Sequence, residues 1–508
     1  MSKTAGHLTP AGIELDRHAA APLFGQLYQA LRRSILQGQL RPGTRLPSTR
    51  LLAAEFGVSR NTALSAYQQL LAEGYVEARV GSGTCVARSL PDEALSVSAP
   101  ATSAPRRQAR ARAFSLRGEL LSSLPVRPLS PPGGGAPQPF ASGLPDPTAF
   151  PFRTWARLLA RRWRHPDADL LGYGDPAGYR RLREEIAGYL GAARAVRCHA
   201  EQVLVVSGSQ QALDLAARLL IDPGDLALIE EPGYPGARIA LSAAGASLIP
   251  LPVDDQGAAV PDRGGQHGKA RMVFVTPSHQ FPLGVTMTLP RRLALLDWAN
   301  RTGAWILEDD YDSEYRYRGR PLPALQGLDG TGGGRVIYLG SFSKTLFPSL
   351  RLGFLVLPPE LVEPFRRARS VVDGHSPVTE QAVLADFIAE GHFARHIRRM
   401  RALYQERQAA LLDAARRELA GLVEVRPADG GMHLMGWLPK GVDDVAASQR
   451  AATAGVRASP LSRCSIGRIA RGGLLLGYAA LTPGQIRDGV RRLARALGSP
   501  GRDARGAR

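Results

Sequence analysis

Lysine is almost missing from this chain. Lysine and arginine together number 64 in 508 residues, yet lysine stands only at Lys3, Lys269, Lys344 and Lys440. Arginine keeps its charge in a protein and cannot act as an amine nucleophile, whereas lysine can. Amine chemistry is therefore confined to very few places. Cysteine is scarce too. Cys85, Cys198 and Cys464 are far apart and odd in number, which argues against a disulfide framework and against a cysteine-rich metal site. No apolar run reaches the roughly eighteen residues of a membrane-spanning helix. The opening MSKTAGHLTP is polar and lacks the apolar stretch of a secretory signal. A cytoplasmic location without a membrane partner is the expectation.

What is present is cationic and apolar in generous measure. The formal net charge is +19 and hydrophobic residues make up 44%. A well-buried core and more than one domain fit that length and content. The charge points to an anionic partner such as nucleic acid, although an arginine-biased composition alone would also produce it. Residues 91–139, with PDEALSVSAPATSAPRRQARARAFS and SSLPVRPLSPPGGGAPQPF, are rich in Pro, Ser, Ala and Arg. Such a segment buries no core and reads as a flexible linker. It divides an N-terminal block, 1–90, from a large block, 140–498, and a basic tail follows at 499–508.

In the N-terminal block, LPSTRLLAAEFGVSRNTALSAYQQLLAEGYV covers residues 46–76. Ser48 or Thr49 caps a short helix ending at Gly57, and Ser59 caps a second. Ala63, Ala66, Tyr67, Leu70 and Leu71 fall on one apolar stripe of that second helix. Arg60, Asn61, Thr62, Ser65 and Gln68 are left outward. Two short helices with a tight turn, the second polar at its start, make a helix-turn-helix suited to the major groove. YVEARVGSGTCVA then reads as a hairpin whose Gly81 and Gly83 allow a tight tip near a phosphate backbone. Residues 22–87 closely resemble the GntR-type winged-helix domain, carried by LPSTR, SRNT and the G-S-G-T wing. The resemblance implies double-stranded DNA as partner. It makes Arg50, Arg60 and Gly81 contacts, with Arg45, Ser59, Asn61, Thr62 and Gly83 beside them.

The large block alternates helical stretches with short apolar runs: VLVVSG, LALIEE, RMVFVTP, WILEDD, VIYLGS and LGFLVLP. That pattern argues for an α/β fold with a mostly parallel sheet. Residues 385–420 read as one long helix, and VEVRP, GMHLMGWLP and LLLGYAAL as strands of a final α+β segment. Chemistry clusters at the run ends. SGSQQ, from Ser207 through Gly208, Ser209 and Gln210, offers free N–H groups and hydroxyls at a helix start, where a phosphate can sit. Many strand-to-helix turns look the same. Tyr234 lies in the Pro/Gly-rich loop EEPGYPG, placed either to stack on a flat ring or simply to pack. WILEDDYDSEYRY ends in clustered acids. A calcium loop starting at Asp310 has Tyr315 where glycine belongs and Pro321 where the bidentate Glu belongs. Asp309 can instead hold a protonated pyridine nitrogen, as pyridoxal phosphate needs, with Tyr311 near the ring hydroxyl. Lys344 lies in SFSKTLFPSLRLG, flanked by Ser341, Ser343 and Arg351. Its amine can form a Schiff base with an aldehyde, and its neighbours can bind the same molecule's phosphate.

These pieces, in this order, resemble fold-type I aminotransferases over residues 140–498. The resemblance implies pyridoxal 5'-phosphate as cofactor, with Lys344 as its Schiff-base lysine and Asp309 against the ring nitrogen. Tyr311 would bond the ring oxygen and Tyr234 would stack, while Ser209, Gln210, Ser341 and Arg351 would bind phosphate. TPSHQFPLGVTM resembles the family's loop beside the cofactor, with His279 as a neighbour or as a structural loop residue. The whole architecture, a GntR-type reader joined to an aminotransferase-like domain, is similar to the MocR/GabR-type regulators. That implies a head-to-tail homodimer and a small-molecule effector: the cofactor itself, an amine or an amino acid. One departure stands out. The arginine that usually grips a substrate carboxylate falls at Leu475, followed by Leu476, Gly477 and Tyr478. The resemblance to a GABA-sensing regulator of the MocR/GabR type implies a second arginine two residues past the stacking tyrosine, and Gly236 stands there. Arg238, Arg463 or Arg468 would have to substitute. Efficient transamination is therefore not expected. The rivals are a true aminotransferase with a DNA-binding head and a DNA-binding protein with a cofactor-free domain.

Overall fold

The computed structural model describes residues 15–17, 19, 21–79, 83–90, 114–124, 138–262, 264–319, 322–330 and 334–498. The chain forms two compact units, Met1–Ala113 and Phe114–Arg508. Among the described residues no helix is long and apolar enough to cross a membrane.

The first unit contains α1 (Leu23–Leu36), α2 (Thr49–Glu55) and α3 (Arg60–Ala72), then a hairpin of β1 (Val76–Arg79) and β2 (Gly83–Val86). Ser48 Oγ accepts from the Leu51 N–H at 3.3 Å, and Ser59 Oγ from the Thr62 N–H at 3.1 Å. Both serines thus satisfy a first-turn donor that would otherwise be orphaned. Gly57, with φ +60°, supplies the left-handed residue that ends α2. Leu27, Leu31 and Ile35 of α1 pack with Leu52, Ala63, Ala66 and Leu70. One member of the expected stripe is corrected: Leu71 is 47% exposed. Eight residues at 3.6 per turn carry it about 80° round from Ala63, off the buried face.

The second unit is built on an eight-stranded sheet. Its strands are β3 (Val203–Val206), β4 (Leu226–Glu231), β5 (Ser247–Asp254), β6 (Gly257–Ala258), β7 (Met272–Val275), β8 (Trp305–Asp310), β9 (Val336–Ser341) and β10 (Gly353–Val356). The order is β3-β10-β9-β8-β7-β4-β5-β6. The ladders linking β5, β4, β7, β8 and β9 are parallel, while β10 runs antiparallel to both neighbours and β6 to β5. Helices cover both faces, so VLVV and MVFV are buried at every position. That is why they read as unbroken apolar runs and not as alternating ones. Leu339 joins the cluster formed with the helix Ser209–Leu220, and Tyr338 the opposite one.

A smaller four-stranded sheet closes the unit: β11 (Glu424–Val425), β12 (His433–Trp437), β13 (Ser459–Pro460) and β14 (Gly473–Gly477), in the order β11-β12-β14-β13. The single helix expected over 385–420 is two helices, Val378–Ala389 and His392–Glu418. Gly391 separates them with φ +72°, a left-handed conformation that no α-helix continues through. A helix, Leu116–Ser123, capped by Ser115, falls inside the stretch read as linker. The tail 499–508 lies outside the described residues.

Candidate functional site

The parallel strands end on one rim of the large sheet, and the reactive groups gather there. Ser341 ends β9 and caps the short helix Phe342–Thr345, which carries Lys344. Lys344 Nζ donates to the Gly143 carbonyl at 2.7 Å. Gly143 has φ +74°, and a Cβ there would stand 2.9 Å from Nζ, so only glycine lets the chain come this close. Gly477, at the end of β14, holds that segment in place. Its N–H donates to the Phe140 carbonyl at 3.0 Å, and a Cβ would meet the Ala141 carbonyl oxygen at 2.3 Å.

Two adjacent acids at the end of β8 each leave Oδ1 without a partner among the described residues, but only Asp310 has its other oxygen strongly engaged. Asp310 Oδ2 accepts from Arg194 Nε and from the Tyr338 hydroxyl, each at 2.7 Å. Asp309 is 4% exposed, and its Oδ1 has no hydrogen-bond partner among the described residues. Burial, with the charge of Asp310 second, pushes its carboxyl up to about 8, while Lys344 pulls the other way. The result is a buried carboxyl with one oxygen that no described residue pairs.

An aromatic cage surrounds this rim. The Tyr234 ring folds back so far that a Cβ on Gly236 would lie 2.5 Å from it. It meets Phe281 edge-on at 5.7 Å. His279 is buried, with Nδ1 at 3.0 Å from the Tyr311 hydroxyl and 3.1 Å from Asp312 Oδ2. Gly431, φ +89°, makes room for the His279 ring, which a Cβ would reach at 2.0 Å.

Opposite lies an anion cradle. The helix Ser209–Leu220 begins after Gly208, φ +96°, with no side-chain cap. The Arg351 guanidinium lies across this start, 3.3 Å from where a Gly208 Cβ would be, and Nη2 donates to the Ser207 carbonyl at 2.6 Å. A bare helix N-terminus and a guanidinium together favour a phosphate. Ser207 itself is committed to the protein. Its N–H donates to Gln211 and its Oγ lies 3.1 Å from Ser376 Oγ. Gln210 Nε2 donates to the Gly236 carbonyl at 3.2 Å, tying the cradle to the tyrosine loop. Ser341 Oγ accepts from the Ser343 N–H at 3.2 Å.

Sequence reasoning missed Glu230. It is buried and accepts from the Thr276 N–H at 3.1 Å and the Gln280 amide at 3.2 Å. Burial raises its carboxyl to about 7. The acid pair ending LALIEE is the signal that the sequence offers for it. Gly143 and Asp312 were also missed. Their roles come from contacts far apart in sequence.

At the two positions where the resemblance would place a carboxylate-binding arginine stand Leu475 and Gly236. Leu475 is 1% exposed and belongs to an apolar cluster with Met435 and Leu461, against which Phe281 and Leu283 pack. Arg238 donates to the Ser465 carbonyl at 2.8 Å and the Arg463 carbonyl at 3.3 Å, and Arg463 and Arg468 are exposed. Among the described residues no group of three or more His, Cys, Asp or Glu side chains forms a metal site.

On the first unit, Arg45, Arg50, Ser59, Arg60 and Asn61 are exposed and Thr62 half-buried at the start of α3 and its approaches. The Arg45 guanidinium lies against Gly83, 3.5 Å from where a Cβ would stand. Gly81 lies outside the described residues.

Comparison with known proteins follows the same division. Residues 142–493 match the family described as aminotransferase class I and II, and residues 23–86 match bacterial regulatory proteins of the gntR family. A probable rhizopine catabolism regulatory protein, MocR, from Rhizobium meliloti is 48% identical over 485 residues, 95% of both chains. The pyridoxine biosynthesis transcriptional regulator PdxR of Corynebacterium glutamicum is 32% identical over 92% of this chain and 94% of its own. The crystal structure of a Pyrococcus horikoshii kynurenine aminotransferase superposes with a TM-score of 0.67 at 30% identity, over 77% of this chain and 95% of that one.

Proposed function

Because the chain belongs to the aminotransferase class I and II family and carries a gntR-family unit before it, we propose that its second unit holds pyridoxal 5'-phosphate on Lys344 and reports the cofactor, or an amine captured by it, to the DNA reader. The protein is a DNA-binding transcriptional regulator of the MocR type, as its full-length relatives are. The family to which its second unit belongs is pyridoxal-phosphate dependent.

One observation carries the cofactor reading: the buried, partnerless Asp309 Oδ1 on the same rim as Lys344 Nζ. A carboxyl kept from water and left unpaired is costly. A protonated ring nitrogen would supply the missing partner. Arg351 and the bare start of Ser209–Leu220 would take the phosphate, with Ser209, Gln210, Ser341 and Ser343 beside them. Tyr234 would cover the ring face, and Tyr311, with His279 behind it, would face the ring oxygen. When bound, the group supplies an aldehyde that captures amines and a ring that withdraws electrons. Lys344 would hold it, and the Gly143 carbonyl orients Nζ for that role.

Leu475 supports a sensor rather than an efficient transaminase. With a packed apolar cluster in place of a guanidinium, an amino-acid carboxylate would lose its bidentate charge-assisted bonds. The effector is then the cofactor itself or an amine recognised by shape. Binding shifts a population only if the two states differ in affinity for it. A head-to-tail homodimer would pair two readers on two half-sites.

The test is direct. Full-length protein is incubated with pyridoxal 5'-phosphate, reduced with borohydride and mapped by mass spectrometry. The expected result is a pyridoxyl adduct on the Lys344 peptide, absent in Lys344→Ala, with altered binding to DNA upstream of the protein's own coding region. No adduct at saturating cofactor, or one on another lysine, overturns the reading. Rapid turnover of amino acids to keto acids would instead support an active aminotransferase.

A further inference from the structure

Behind the cofactor rim lies a second cavity that the proposed function does not use. It has a volume of about 350 Å³ and sits between the helix Arg180–Arg194, the loop Ser313–Gly319 and the first turns of His392–Glu418. That size is at the small end of ligand pockets in proteins. One wall is apolar, formed by Ala193, Phe393 and Ile397. Arg316, Arg398 and Arg401 are among the polar residues that line the rest.

The charges there are not balanced. Arg398 is exposed and has no hydrogen-bond or ion-pair partner among the described residues. Arg401 spends only Nε on the protein, donating to the Glu314 carbonyl at 2.9 Å. Arg316 reaches Asp429 at 3.4 Å with one nitrogen, and its buried Nε has no partner. The single acid on the wall, Glu314, accepts from the Tyr189 hydroxyl at 2.7 Å. Burial, with Asp310 second, pushes that carboxyl above its ordinary range, so it is a weaker counter-charge than an exposed glutamate. Of the four guanidinium groups on the wall, Arg194 is paired with Asp310, and the other three stand over a greasy wall with one buried carboxyl among them.

We propose that this cavity is a separate ligand site for a small organic anion: an oxyanion, carboxylate or phosphate monoester, on a compact apolar body. The oxyanion takes the arginine side, where planar forks suit it. The apolar body lies against Ala193, Phe393 and Ile397.

The cavity is also wired to the cofactor rim. Arg194, Ser313 and Arg316 line both it and a smaller void of about 20 Å³ that touches His279 and Asp312. Arg194 binds Asp310 Oδ2 at 2.7 Å and Ser278 Oγ at 2.6 Å, on either side of the residues facing the ring. An anion drawn to Arg316 pulls on the loop that positions Asp312 and, through it, His279. The site therefore offers a second input to the regulator, independent of amine capture at Lys344.

The experiment uses the full-length chain, pre-saturated with pyridoxal 5'-phosphate so that the phosphate cradle is filled. Phenylacetate, phenyl phosphate and the neutral phenylacetamide are titrated by calorimetry. One or both anions should bind with a dissociation constant of about 1 mM or tighter, and the amide at least about tenfold more weakly. Whichever anion binds more tightly identifies the oxyanion. Arg398→Glu should weaken the anion at least about tenfold, whereas Arg395→Glu, on the same helix but outside the cavity, should change it less than about twofold. Ala193→Leu, which fills the apolar wall without touching a charge, should abolish binding and so guards against a misfolded charge variant. Equal binding of anion and amide, equal binding by wild type and Arg398→Glu, or no binding at all would each overturn the proposal.

Discussion

Replacing Asp309 with Asn separates two consequences of one buried carboxyl. In the folded, cofactor-free chain that side chain is 4% exposed with an unpaired oxygen. Burial and then Asp310 lift it from 3.8 to about 8, against the pull of Lys344. The unfolded chain releases the same proton near its ordinary value. Between about pH 4 and pH 8 the folded state therefore keeps a proton that the unfolded state has lost, and stability falls as pH rises. Each pH unit in that window is worth about 1.4 kcal/mol. Going from pH 5 to pH 7.5, Asp309 alone removes up to about 3 kcal/mol. Glu230 and Glu308, both raised to about 7 by burial, act in the same direction but are unchanged by the substitution.

An amide cannot ionise, so Asp309→Asn should lack this share of the slope. Urea or thermal unfolding of both cofactor-free proteins at the two pH values isolates it, whatever the amide itself costs at pH 5. The variant should gain on wild type by about 1–3 kcal/mol at the higher pH. With cofactor the order reverses. The amide offers no opposite charge to a protonated ring nitrogen, and affinity for pyridoxal 5'-phosphate should drop at least about tenfold. Parallel pH slopes in the two proteins would refute the burial argument. An unchanged affinity would remove Asp309 from the ring nitrogen.

Other substitutions probe the remaining links. Arg60→Ala should weaken operator binding by about 1–3 kcal/mol if it touches a base, read by DNA titration at fixed salt. Ser59→Ala removes the α3 cap bond to the Thr62 N–H, lowering stability of the first unit by about 1 kcal/mol in chemical unfolding. Gly477→Ala forces a Cβ onto the Ala141 carbonyl; the second unit should melt lower by about 1–3 kcal/mol and lose cofactor affinity as Gly143 leaves Lys344. Leu475→Arg places an unpaired charge in the Met435–Leu461 cluster, and a stability loss of about 3 kcal/mol or more is expected in the same assay.

The sequence was most readable where chemistry restricts residue type. A Schiff-base amine must be lysine, and in this arginine-rich chain Lys344 stood out. Asp309 ended an apolar run with a charge, and the caps Ser48 and Ser59 preceded periodic helices. The sheet was legible because strands buried on both faces leave runs such as VLVV and MVFV. What stayed hidden depends on contacts between distant positions. Gly143 and Gly477 look like ordinary loop and strand glycines until their backbones are brought against Lys344 and Ala141. Glu230 is defined by Thr276 and Gln280, some fifty residues on. The break at Gly391 was lost inside a helical pattern that continues on both sides of it.

A sensor and an enzyme demand different things of the same crevice. An enzyme must grip one substrate by its carboxylate, react and let go, so a fork of two bonds at that point raises turnover. A sensor needs only that occupancy change the stability of one arrangement over another. Leu475 gives up the fork but adds to the packing of Met435, Leu461 and Phe281, and Phe281 touches Tyr234 at 5.7 Å and Tyr311 at 6.2 Å. The cluster that replaces the guanidinium is thus in contact with the rings that would report on the cofactor. A ligand that moves Tyr234 or Tyr311 must disturb an apolar core shared with the small sheet, and packed cores resist small continuous displacements. Under the proposed cofactor reading, this packing would be the route by which occupancy of the rim becomes a change in the fold around it.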